Sequence, residues 1–171
     1  MIEMNRILYG KDIFDTAFSY VKDILLEKRA TIENVSVRHD ETIYDSETRE
    51  SVEKTIPESA SLEIREELEE RFPFILASVC AELQTLDAEY RRSKGKKEQD
   101  EYSEFFISLD DLFPLCDKFS FPCAMYACSM FLIDCDSDAS DRFFEKYSDA
   151  VSEISSKISF ELKQTVEKYP Y

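Results

Sequence analysis

Fifteen consecutive residues without a charge, Phe119 to Ile133 (FSFPCAMYACSMFLI), constrain this chain more than any other feature. Nearly every side chain in the run is apolar, and burying each one contributes about 1.5–3 kcal/mol, so the run has to lie inside. It is shorter than the roughly 20 apolar residues that a membrane span requires. The N-terminus shows no basic region followed by an apolar one, the pattern that directs secretion. A soluble, cytoplasmic protein without membrane contact is therefore expected. Pro122 suits the first turn of a helix, and Ser120 is placed to cap it. A helix over 121–134, apolar on every side, is expected to be surrounded by other helices, with Met130 and Phe131 buried.

A chain of 171 residues is long enough for a single domain with a sizeable core. Only two glycines, Gly10 and Gly95, are present. Folds rich in β-structure use glycine for turns and bulges, so this scarcity favours helices. Five cysteines, Cys80, Cys116, Cys123, Cys128 and Cys135, are an odd number and include no Cys-x-x-Cys pair. With one histidine in the whole chain, they read as buried, reduced thiols in a reducing cytosol, with no structural zinc.

Apolar residues at helical spacing, Ile13, Phe14, Ala17, Phe18, Val21, Ile24 and Leu25, predict a first helix over 11–29. Across Thr31 to Pro57 the alternation of Val35, Val37, His39, Glu41 and Ile43 suits a small β-hairpin at 33–45 or a loop. Asn34-Val35-Ser36 matches a glycosylation sequon, which reads as chance in a chain with no secretory signal. From Ser61 an acidic amphipathic helix is expected, with Leu62, Ile64, Leu68 and Phe72 on its inward side, until Pro73 breaks or kinks it. Leu76, Val79, Leu83, Leu86 and Tyr90 form the seam of the next helix, which ends near Ser93, with Gly95 as the left-handed residue beyond it. A short helix over 109–118, capped by Ser108, and a long one over about 140–168 complete an all-α bundle of about five helices around 121–134.

Asp134 to Glu145 has carboxylates at loop positions 1, 3, 5 and 12 of the EF-hand pattern. It departs from that pattern at Ala139, where the sharp turn needs glycine, and at Asp141, where an apolar residue belongs. An acidic start to the last helix, capped by Ser137 or Asp138, accounts for the same residues without calcium. The basic run Arg91-Arg92-Ser-Lys94-Gly-Lys96-Lys97 reads as a solvated helix end. A localisation tag or an intramolecular partner for acidic surface are its alternatives.

His39 is the only histidine, and the chain has no serine elbow, glycine-rich phosphate loop or metal-binding histidine motif. A non-enzymatic protein without cofactor or metal is expected. What stands out is charge: 37 acidic against 21 basic residues, a net of −16, which repels nucleic acid and anionic membranes. Residues 40–70 hold twelve acidic against three basic residues, a net of −9, and residues 98–117 hold seven acidic residues and no basic one. Such zones suit an inhibitor or immunity-type protein that meets a basic protein partner, such as a nuclease or another nucleic-acid-handling complex, by mimicking phosphates. Glu63, Glu66, Glu67, Glu69, Glu70, Asp100, Glu101 and Glu104 are the candidate contacts. The alternatives are a plain solubility surface and an adaptor that binds its partner through apolar helical surface.

Overall fold

The computed structural model describes residues 7–40, 58–97 and 105–168. Four α-helices account for most of them: α1 (Gly10–Asp40), α2 (Glu58–Ser93), α3 (Ser120–Leu132) and α4 (Ser137–Lys168), with a short 3-10 turn at Asp117–Phe119 leading into α3. The fold is all-α. The uncharged run forms α3, which packs on α1, α2 and α4 and touches α4 most extensively. Nine of its thirteen residues are buried, and Phe121, 46% exposed, is its one large apolar side chain open to water. Phe131 is 3% exposed; Met130, expected to be buried, is only half-buried.

The aromatic centre of the core joins three helices. Phe14 of α1 sits edge-on to Phe72 of α2 at 5.3 Å and to Phe131 of α3 at 6.3 Å between ring centroids. Arg65 covers this cluster from α2, its guanidinium 5.2 Å from the Phe14 centroid and 5.4 Å from that of Phe18. The same group donates to Asp15 at 2.7 Å and to Glu69 at 2.8 Å. Its pKa is raised chiefly by the Asp15 hydrogen bond. A charge over the rim of an apolar cluster is tolerated because both its carboxylate partners are present.

Several sequence expectations need correction. The first helix does not stop at residue 29 but runs to Asp40, so residues 33–40 of the expected hairpin are helical; the rest of it lies outside the described residues. No glycine or proline stands between Glu27 and Asp40, and extending a helix costs far less than starting a strand pair from its end. Pro73 does not divide the second helix: α2 is continuous across it. One missing N–H is outweighed there because Phe72 and Leu76, on either side, are fully buried. Among the described residues the α-helices number four rather than about five. Ile64, Leu68 and Phe72 are buried as expected, but Leu62, expected on the same side, is 58% exposed.

The expected helix over 109–118 does not form: residues 109–116 lie as an irregular strap across the start of α1, and Asp117 opens the 3-10 turn. Gly10 N–H donates to Asp111 O at 2.9 Å, Lys11 N–H to Leu109 O at 2.7 Å, and Phe113 N–H to Leu8 O at 2.8 Å. These cross-chain bonds satisfy backbone groups that a helix would have used locally. Ser108 caps no helix; its own N–H donates to the Asp111 carboxylate at 2.7 Å. The close approach explains Gly10, since a Cβ there would stand 2.6 Å from Ser108 O. Gly95 adopts φ 64°, and Lys96 N–H reaches Arg91 O at 2.8 Å while Gly95 N–H reaches Arg92 O at 3.1 Å. That pair of bonds is the Schellman stop expected at this helix end.

The five cysteines are free; four are buried and Cys135 is exposed. Burial pushes the Cys128 thiol up to about 12. Burial first, and the Asp87 carboxylate beside it second, push Cys116 up to about 12. Below the ordinary thiol value of 9.0 both thiols keep their protons whether the chain is folded or not, so their contribution to stability is complete there. Above it the unfolded chain ionises first. Stability is therefore expected to fall as pH rises from about 9 towards 12, by up to roughly 1.4 kcal/mol per pH unit for each thiol. Denaturant midpoints measured across that range check this, and a flat profile would contradict it.

Candidate functional site

α2 positions the acidic residues singled out by sequence. Helical residues turn by about 100° each, which gathers Glu63, Glu66, Glu67 and Glu70 into one stripe and turns Ile64, Leu68 and Phe72 to the core. All four glutamates of the stripe are exposed. From Glu63 to Glu70 the helix rises about 10 Å, which gives roughly 3.5 Å of axis per carboxylate. A single DNA strand places one phosphate per roughly 3.4 Å of axis.

The five acidic candidates of α2 are not equivalent. Glu69 lies off the stripe and accepts from Arg65 Nε at 2.8 Å, so it belongs to the clamp over the aromatic core. Glu63 stands 3.5 Å from Arg29 of α1, a partial neutralisation. Glu66, Glu67 and Glu70 have no cationic partner among the described residues. Asp100, Glu101 and Glu104 lie outside the described residues, so the structure does not place them beside the α2 stripe.

The stripe does not end in more charge. One turn beyond Glu70, on the same face, stands Phe74, 60% exposed. Phe106 meets it edge-on with ring centroids 5.5 Å apart, and is itself 48% exposed beside Phe105 at 90%. This aromatic platform is held in place: Ile107 N–H donates to Pro73 O at 3.2 Å, and the Ile107 side chain is 2% exposed. Sequence reading passed over these residues. Phe74 falls on the same helical face as Glu63, Glu67 and Glu70, and that register was the available signal. The place of Phe105 and Phe106 depends on the strap and has no local pattern.

The other candidates dissolve into structure. Asp136 caps α4, its carboxylate accepting from Ala139 N–H at 3.0 Å, where Ser137 or Asp138 had been expected to do so. It also pairs with Lys28 at 3.2 Å. The Ala139 hydrogen bond is the main cause that lowers its pKa, and Lys28 follows. Asp134 turns to Arg71 at 3.7 Å. Among the described residues no three His, Cys, Asp or Glu side chains gather to hold a metal ion.

The basic run is partly engaged: Arg91 pairs with Asp87 at 2.7 Å and Lys94 with Glu161 at 2.6 Å. An open groove of about 750 Å³ between α1 and the start of α3 is edged by Asp12, Asp15 and Asp117. Asp12 accepts from the Tyr9 N–H and Asp15 from Arg65, so two of those three carboxylates are already engaged. No described helix is long and apolar enough to cross a membrane. Comparison with protein-family models, curated proteins and solved structures gives no match for this chain.

Proposed function

We propose that this chain is a non-enzymatic acidic binding protein of the inhibitor or immunity type. In this reading it occupies a basic, nucleic-acid-binding surface of a protein partner, such as a nuclease, by presenting carboxylates where that surface takes phosphates. The observation that carries the reading is the exposed α2 stripe, four carboxylates along about 10 Å of helix axis, three of them left unneutralised among the described residues. Fixed on a helix whose other side is buried, these residues have their backbone in place before binding, so the order lost on association is that of the side chains alone. Five free thiols are consistent with a cytoplasmic setting.

The test compares proteins captured from cell lysate by the unaltered chain and by a Glu66→Lys, Glu67→Lys, Glu70→Lys variant. Glu69 is spared because its reversal would face Arg65 and disturb the core. Both proteins are expected to melt alike, since exposed changes usually alter stability by less than about 0.5 kcal/mol. A basic protein held at low salt, released at high salt and lost with the variant supports the reading. Identical captures by both proteins would remove it. The exposed aromatic platform at Phe74, Phe105 and Phe106 favours a second reading, an adaptor that binds through apolar surface. Captures that survive high salt and the charge reversal would favour that reading instead.

A further inference from the structure

Two features that would ordinarily point to different partners share one face of α2. The glutamate stripe attracts cations and the Phe74–Phe106 pair offers an apolar anchor, with Glu70 one helical turn from Phe74. Glu63 is about 16 Å from Phe74 along the axis. Exposed aromatics beside a charged rim are the usual anatomy of a binding hot spot.

We infer that this composite face binds a basic amphipathic helix of the partner, one apolar side chain seated on Phe74 and Phe106 and its lysines or arginines laid along Glu70, Glu67 and Glu66. The inference rests on the acidic-stripe reading and adds an apolar anchor to it. Charge complementarity selects the occupant. A nucleic acid is repelled by the stripe. A second copy of this chain offers as its only basic run Arg91 to Lys97, which contains no apolar side chain to fill the anchor. A helix of about 11 residues would span from Phe74 to Glu63, so the predicted recognition element is short and carries its apolar residues at one end.

Two synthetic peptides of equal length and equal positive charge test this, one a leucine–lysine amphipathic helix and the other with its leucines replaced by glutamine. Labelled peptides are titrated with the full chain at low salt. The leucine peptide is expected to bind about tenfold tighter or more. A Phe74→Ser, Phe106→Ser variant is expected to bring it down to the level of the glutamine peptide while leaving the latter unchanged. Should that variant melt early, Phe105→Ser serves instead and must weaken the leucine peptide alone.

Equal binding of the two peptides to the unaltered chain would overturn the anchor. So would a preference for leucine that survives the phenylalanine changes, or dissociation of a dimer of this chain by those changes. The stripe is judged separately by the Glu66→Lys, Glu67→Lys, Glu70→Lys variant, which is expected to weaken both peptides; if it weakens neither, the acidic-stripe reading fails whatever the phenylalanines do.

Discussion

Phe131→Asp is expected to abolish cooperative folding. The ring is 3% exposed and lies 6.3 Å from both Phe14 and Phe72 between centroids, so its removal empties the junction of three helices. Truncating such a residue costs about 3–5 kcal/mol. The replacement puts a carboxylate among buried aromatic rings, a further penalty of several kcal/mol. Against a total stability of about 5–15 kcal/mol for a domain of this kind, the sum leaves little or nothing. Far-UV circular dichroism through a thermal scan reads the outcome. Phe160→Asp, at a position 62% exposed, is the control and should melt as the unaltered chain does. A soluble Phe131→Asp protein with a normal melting transition would show that α3 is not the centre of the core.

Asp87→Ala is expected to cost about 3–5 kcal/mol, the range for removing one partner of a buried ion pair. The residue is 3% exposed and its two oxygens are both used: one accepts from Arg91 Nε at 2.7 Å, the other from Cys116 N–H at 2.9 Å. The carboxylate thus fastens the strap to α2, helped by Arg91 donating to Pro114 O at 3.4 Å. Without it Arg91 Nε and the Cys116 N–H lose these acceptors in a confined site. Asp87→Asn keeps an acceptor and should fall between the two. Replacing Asp87 and Arg91 together by methionine should cost less than Asp87→Ala alone, because no buried charge is then stranded. Urea midpoints decide this, and a loss below about 1 kcal/mol for Asp87→Ala would mean that the strap is held by other contacts.

Such effects also mark what could be read from the sequence. The uncharged run at Phe119 to Ile133 identified the central helix because burial is the only solution for fifteen residues of that composition. The helix stop at Gly95 was legible from basic residues before a glycine. Continuity was not. Pro73 argued for two helices by a local rule, and only the burial of Phe72 and Leu76 on either side shows why the rule yields. The strap was misread for the opposite reason: Ser108 and Asp111 form a plausible cap by spacing, yet Asp111 O accepts from Gly10 N–H, and the neighbouring Leu109 and Phe113 pair with Lys11 and Leu8, about a hundred residues away. Long-range backbone pairing leaves no local signature.

The acidic site was half legible. Periodicity placed Glu66, Glu67 and Glu70 outward and Glu69 off their stripe, four residues from Arg65; that Arg65 sits over Phe14 and Phe18 of α1 is fixed by tertiary packing and left no mark in the sequence. Phe74 was read past because aromatic residues in a helix ordinarily belong to its buried seam, and its exposure follows from the face it shares with the glutamates.

Association rates as a function of ionic strength, for the basic protein captured by the unaltered chain, bear most directly on the acidic stripe of α2. The unaltered chain should associate fast at low salt and slow steeply as salt rises, and the Glu66→Lys, Glu67→Lys, Glu70→Lys variant should associate about tenfold more slowly with a much flatter salt dependence. Superimposable rates for the two proteins at every ionic strength would mean that the stripe is a solvated face with no part in binding.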